Sequence, residues 1–332
     1  QEYRNTDWFD LLFSNSIMQN HSVSLSAGTD RSQHYASISL MDDPGWYRQS
    51  RVKRYTANVN STFTFSDKLK LNIIGNASTR EQRAPGTLSS EVNLVSGEVS
   101  RAFDINPYSY ALNTSRVLDP DDFYTRNYTA FNIFHELDNN YIDLNTHEFK
   151  IQALLSYKPV AGLEVNLLGA AKRASSTSEH NATERSNQAN AYRAMGNTII
   201  RDNNPYLWKD PTDPYAVPVS VLPEGGIYDM TTYNMTSYDF RGTASYNRIF
   251  SQKHIVNVFG GVEINSVKRN SDWSRQWGRN YEFGNIGKFD PDMFDKLSQE
   301  GSGYYDVTNG LERMAAFFGN ATYSYKGRYI VN

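Results

Sequence analysis

Residues 53–79, KRYTANVNSTFTFSDKLKLNIIGNAST, alternate in character over a length that few folds can use. Every second residue from Tyr55 reads Tyr55, Ala57, Val59, Ser61, Phe63 and Phe65, and the residues between them are Arg54, Thr56, Asn58, Asn60, Thr62 and Thr64. A short turn at Ser66-Asp67-Lys68 reverses the chain, and Leu69, Leu71, Ile73, Gly75 and Ala77 continue the pattern against Lys70, Asn72, Asn76 and Ser78. Successive strand residues point to opposite faces, so this is a hairpin with one apolar and one polar face. Each arm is about eleven residues, against about five or six in an ordinary strand.

The pattern recurs. It predicts strands at 19–28 and 34–41, at 147–157 (Phe149, Ile151, Tyr157) and from 163 (Val165, Leu167), at 237–247 (Tyr246) and from 256 (Val258), and from 317 (Phe317, Tyr323, Tyr325) to the interrupted RYIVN. That makes about ten strands in five hairpins. Links within hairpins are short, whereas links between them are long: 42–52, 81–145, 175–235 and 270–312. Short turns at one end and long loops at the other are the asymmetry of outer-membrane barrels, and a compact domain seldom holds several structureless connections beyond about 15 residues. An antiparallel transmembrane β-barrel is the expected fold, with residues 1–18 as a lead-in and 19–332 as the barrel region.

The remaining totals agree. No apolar run nears the roughly 18 residues of a membrane helix, and mean hydropathy is −0.62. A barrel escapes such scans because only alternate residues meet lipid. The apolar phase carries almost no charge apart from Lys53, and its members nearest the short turns are aromatic: Phe65, Tyr157, Tyr246, Tyr325 and Tyr329. Rings at one height form an interfacial girdle. Val59, Phe63, Phe65, Leu71, Ile73, Phe149, Ile151, Tyr157, Val165, Leu167, Tyr246, Val258, Phe317, Tyr323 and Tyr325 are therefore expected to face lipid. Net charge of −3 gives no electrostatic grip on nucleic acid. The chain has no cysteine, which removes disulfides, thiolate metal sites and cysteine nucleophiles. No signal-peptide pattern opens it, and an open sheet cannot span lipid. The chain is expected to be a segment of a larger barrel.

Asn5-Thr6-Asp7-Trp8, Gln19-Asn20, Ser22-Val23-Ser24, Tyr35-Ala36-Ser37, Gly45, KLKLN, the NPY triplets at 106–108 and 204–206, and FFGNATYSYKGRYIVN follow one another in order. This set resembles the barrel region of SusC-like (SusC/RagA) TonB-dependent transporters of the Bacteroidota outer membrane. The resemblance implies a 22-stranded barrel, a plug domain and TonB box outside this chain, and active import energised by the TonB complex. It also implies a SusD-like surface lipoprotein as partner and an oligosaccharide or peptide as substrate. A passive porin, and a secreted β-rich glycan-binding or glycan-cleaving protein, are the alternatives.

No catalytic constellation appears. The acid pairs Asp42-Asp43 and Asp121-Asp122 fall in predicted loops, and the six histidines show no paired ligand spacing. DPDMFD (Asp290, Asp292, Asp295) offers oxygens for calcium in an extracellular loop, but it lacks the glycine and final glutamate of an EF-hand, and a helix cap or solvated turn is preferred. FGNIG (283–287) and EGGIY read as glycine turns. No cofactor is expected. Substrate contact is sought in loop aromatics and their neighbours, which can stack on sugars or grip peptides: Trp46, Tyr108, Tyr206, Trp208, Asp210, Trp273 and Trp277.

Overall fold

The computed structural model describes residues 4–86, 91–92, 99–100, 103, 105–284 and 290–332. Asp104 and part of the 283–287 glycine turn lie outside them. In chain order the elements are α1 (Trp8–Leu12), β1 (Gln19–Gly28), β2 (Ser32–Asp43), β3 (Arg51–Ser66), β4 (Leu69–Pro85), β5 (Glu91–Val92), β6 (Val99–Ser100), α2 (Pro107–Asn113), β7 (Tyr124–Arg126), β8 (Thr129–Phe131), α3 (Ile133–Asn139), β9 (Asn140–Tyr157), β10 (Leu163–Ala182), α4 (Asn187–Ala191), α5 (Thr198–Asn203), β11 (Gly226–Phe250), β12 (His254–Arg279), α6 (Asp292–Gln299), β13 (Tyr305–Tyr325) and β14 (Tyr329–Val331).

One ten-stranded antiparallel sheet dominates, in the order β1-β2-β3-β4-β9-β10-β11-β12-β13-β14. Each strand pairs with its neighbours in this meander, as expected from the hairpin pattern, and β5–β6 and β7–β8 are small separate hairpins. The strands are longer than the alternation suggests: 16 and 17 residues in β3 and β4, 18 and 20 in β9 and β10, 25 and 26 in β11 and β12. They continue into 42–43, 51–52, 81–85, 140–145, 175–182, 226–235, 270–279 and 305–312, which the pattern assigned to loops. Ladder hydrogen bonds belong to the backbone and persist where both faces become polar and the alternation fades.

Residues directly opposite in a ladder share a face, so the register carries the apolar phase across the sheet. Phe63 faces Leu71, Leu71 faces Leu155, and the row continues through Leu167, Gly242 and Val262 to Phe317. A row higher toward the loops runs Leu25, Ala36, Val59, Gly75, Ile151, Ala171 and Tyr238, then turns polar at Ser266 and Arg313. The apolar band therefore slides along the strands. It is centred near Val59 on β3, but near Gly260 on β12, three rows closer to the short turns. Six residues of slip over five neighbouring strands is about 1.2 residues per strand. At about 3.3 Å per residue and about 4.8 Å between strands this corresponds to a tilt of about 40°, which is the tilt of transmembrane barrels. The band is about ten residues tall, or about 25 Å at that tilt.

None of the fifteen residues expected to face lipid is buried; Val59, Phe149, Ile151 and Leu167 are exposed, and Phe317 is 84 % exposed. Among the described residues no second sheet or helix covers the band. The two clusters of buried apolar side chains both lie at the loop end of the strands.

Candidate functional site

The first cluster grows from the inward-facing ends of three strands. Ala182, Ile227 and Trp277 pack with Ala189 of α4, Val221 and Leu222 of the 183–225 connection, and Met293 and Leu297 of α6. The ends of these elements are satisfied locally: the Ser186 hydroxyl accepts from Ala189 N to start α4, and Lys296 Nζ donates to the Pro205 and Leu207 carbonyls at 3.0 and 3.3 Å. The second cluster joins Trp8 and Leu12 of α1 to Ile105, Ala111, Phe131, Ile133 and Leu137. Trp8 Nε1 donates to the Ser115 carbonyl at 3.1 Å, and Asn106 and Asn132 cap α2 and α3 by accepting two backbone N–H groups each. The lead-in segment therefore docks on the connection between β4 and β9, at the loop end of the sheet.

The structure brings several of the expected contact residues together. Tyr206 lies 5.2 Å from both Phe103 and Tyr192, and Tyr192 meets Trp277 edge-on at 5.2 Å. The Arg275 guanidinium sits 5.4 Å from Trp277 and 5.7 Å from Trp273. Trp208 packs on the first cluster, tied by reciprocal backbone hydrogen bonds to Val219. Tyr206, Trp208 and Trp277 are thus joined in loop packing, with Trp277 only 6 % exposed. Burial pushes the Tyr192 phenol pKa up. Asp210 closes a turn by accepting from the Thr212 amide and hydroxyl, which hold its carboxyl below the usual range. Trp46 and Tyr108 stand apart from that cluster; both are exposed, and Tyr108 lies edge-on to Phe9 at 5.8 Å.

A polar network lies beneath these rings. Arg275 donates through Nε and Nη2 to the Asp229 carboxylate, the latter at 2.9 Å. His180 Nδ1 is 3.5 Å from the same carboxylate, and its Nε2 is 2.7 Å from Asn140 Oδ1. Asn140 Nδ2 donates to Glu136 Oε1 at 3.0 Å, and Glu136 Oε2 accepts from Asn187 N at 2.6 Å. Burial pushes the Glu136 carboxyl up, opposed by these hydrogen bonds. Gly86 closes the network: a Cβ there would stand 1.9 Å from Asn140 Oδ1. This chain links β9, β10, β11 and β12 to α3 and α4. Apart from Glu136 and Asn140 its members are far apart in sequence, and sequence reasoning missed them because only the register places the four strands' residues side by side.

The acids set aside earlier are engaged locally. Asp42 pairs with Arg51 at 2.8 Å, Asp43 accepts from Gly45 N, and Asp290 accepts from Asp292 N ahead of α6. Among the described residues no group of three or more His, Asp or Glu is placed to hold a metal ion.

Comparison with known proteins follows the same lines. The chain is 23 % identical over 339 aligned residues, 99 % of its length and 28 % of the relative's, to TonB-dependent receptor P26 of Formosa agariphila. It is 37 % identical over 70 residues, 21 % of this chain and 7 % of the relative, to TonB-dependent receptor SusC of Bacteroides thetaiotaomicron. Among solved structures, the RagAB peptide transporter aligns over 97 % of this chain and 32 % of that one, with a TM-score of 0.67 and 15 % identity. The RagAB peptide importer in its closed-closed state gives 0.66 at 14 % identity, over 97 % and 31 % of the two chains. No family model matches. The chain spans less than a third of the length of each of these relatives. The chain is thus similar along its whole length to a TonB-dependent receptor and over about a fifth of it to SusC, and its tilted antiparallel sheet has the fold of part of the RagAB transporter barrel.

Proposed function

We propose that these strands form part of an outer-membrane barrel that imports oligosaccharides or peptides, working with a SusD-like surface lipoprotein and drawing energy from TonB. One observation carries the reading: the apolar band is uncovered, about 25 Å tall, and slides from strand to strand as a tilt of about 40° requires. A water-soluble sandwich would cover that band with a second layer. The opposite face is polar, with Asn76 Nδ2 donating to Asn58 Oδ1, Asn72 Nδ2 donating to Thr62 Oγ1, and Arg241 paired to Glu263, as suits the wall of a wet lumen. The loop clusters and their exposed rings, Trp46 and Tyr108, sit where a surface lipoprotein or an arriving substrate would meet the barrel.

The test is uptake of labelled oligosaccharides and oligopeptides by cells with and without the whole protein. Uptake that depends on the protein and stops with a protonophore supports energised import. Protein-dependent uptake that survives the protonophore would leave a passive pore, and a protein recovered wholly in the soluble fraction would end the membrane reading. Co-purification of a lipoprotein from detergent extracts tests the partner.

A further inference from the structure

The outward face of β3, β4 and β9 carries a groove that neither loop packing nor the lumen uses. One ladder row crosses it as Ile38, Ala57, Ala77, Phe149 and Arg173. Ala57 and Ala77 form a low floor between the exposed walls of Ile38 and Phe149, in a groove of about 390 Å³ that also includes Tyr55 and His147. The floor continues down the band, because a Cβ added at Gly75 would meet nothing within 4 Å. At its upper end the character changes. Arg173 is exposed and has no acidic partner among the described residues, and His147, also exposed, bonds through Nδ1 to Thr79 Oγ1 at 3.2 Å. Glu148, between them in sequence, faces inward and pairs with Lys172 at 3.0 Å. Farther toward the loops the charges neutralise one another, as Arg51 with Asp42 and Arg83 with Asp143.

An apolar trough that ends at an unpaired cation matches one kind of molecule on a membrane-facing wall. We propose that this is a lipid site: an acyl chain lies over Ala57, Ala77 and Gly75, and a phosphate-bearing headgroup takes the Arg173 guanidinium with His147 beside it. The position supports a membrane lipid as occupant, because the groove is continuous with the apolar band and Arg173 stands at its loop-side border. Lys268 on β12, in the same ladder row as Arg173, and Arg313 on β13, one row nearer the short turns, are also exposed and outward above the band. The inference rests on the membrane orientation proposed above.

Native mass spectrometry of the whole protein in detergent tests it, with phosphatidylglycerol, phosphatidylcholine of the same chains, or inorganic phosphate added. Wild type is expected to retain phosphatidylglycerol in preference to phosphatidylcholine and to hold no inorganic phosphate. Arg173→Glu should weaken phosphatidylglycerol at least about tenfold, since one basic residue near a charged headgroup already contributes severalfold. Ala77→Trp should remove one bound lipid of either kind, and Arg173→Lys should keep it. Heat-modifiable gel migration identifies folded protein for each variant. Unchanged lipid retention in both Arg173→Glu and Ala77→Trp, or inorganic phosphate binding as well as lipid, would overturn the site. Liposome flotation separates the two levels: wild type that floats with lipid retention unchanged in the variants sinks only the site, whereas wild type that fails to float sinks the orientation as well.

Discussion

The two halves of the same strands are stabilised in opposite ways. Toward the short turns, β3 to β13 present Val59, Ile151, Leu167, Phe240 and Phe317 outward and uncovered, and the inward face is polar. Toward the loops, the same strands turn apolar residues inward, where Ala182, Ile227 and Trp277 are buried under helices and connections. Of the buried apolar side chains among the described residues, Val267 alone lies well down a long strand, and the others belong to the loop end. The lower half is a wall whose apolar partner is its surroundings, and the upper half is a small globular structure with its own core. Changing the environment should move one half, and cutting side chains should move the other.

The largest effect is expected in the upper half. Trp277→Ala removes the ring that Tyr192 and Arg275 pack against and opens a cavity between β12, α4 and α6. Truncating a buried tryptophan costs about 3–5 kcal/mol. Limited proteolysis should cut within 183–225, while heat-modifiable migration, which reports the wall, stays as in wild type. Loss of both together would show that the two halves fold as one unit.

The wall is broken by charge. Ile151 and Gln152 are neighbours on β9 that face opposite ways, near mid-band. Ile151→Arg is expected to cost about 2–4 kcal/mol in a bilayer, and Gln152→Arg, turned to the lumen, within about 0.5 kcal/mol. Equilibrium unfolding from lipid vesicles measures both. Equal costs would mean that the apolar face does not meet lipid.

Next in size is Gly86→Ala. Its Cβ would meet the buried Asn140 amide at 1.9 Å and His180 Nε2 at 2.8 Å, so the network must shift. Overpacking of this kind costs about 1–3 kcal/mol, and it should appear as faster amide exchange around 136–142 and 178–182 with the band unaffected.

These contrasts follow how far the sequence could be read. Within the band, burial by lipid on one side and water on the other imposes a period of two, so the phases of Tyr55 to Phe63 or Leu163 to Ala171 specify pairing and face without help. Above it both faces turn polar, and nothing in ASSTSEHNA or TTYNMTSY separates a strand from a loop; β10 and β11 nevertheless pair there residue for residue. The helix starts were local and readable in principle, since Asn106 precedes Pro107 and Asn132 precedes the helical turn it caps. Trp277 and Trp208 show the limit for the loops. Their residue type marks them equally for stacking on a substrate or for packing, and only the fold reveals that Trp277 is covered by Tyr192, Met293 and their neighbours. Glu136, Asn140, His180, Asp229 and Arg275 carry no joint signal at all, because their meeting depends on the register of four strands.

That network also gives the smallest expected effect, a dependence on pH confined to the loop end. Glu136 is buried, and burial holds its carboxyl above the ordinary carboxylate range despite the Asn187 and Asn140 donors. The folded loop cluster therefore keeps the Glu136 proton at pH values where the unfolded chain has released it. Its contribution to stability is complete below the unfolded value and is lost as pH rises through the raised folded one. Exchange protection at the Asn187 amide, corrected for the intrinsic rate, should fall across that window, and the band amides should show no such change. Glu136→Gln removes the titration and should flatten the profile. A protection profile that stays level in wild type, or one that falls equally in the Gln variant, would assign the pH response to another group and leave the buried carboxyl a passive acceptor.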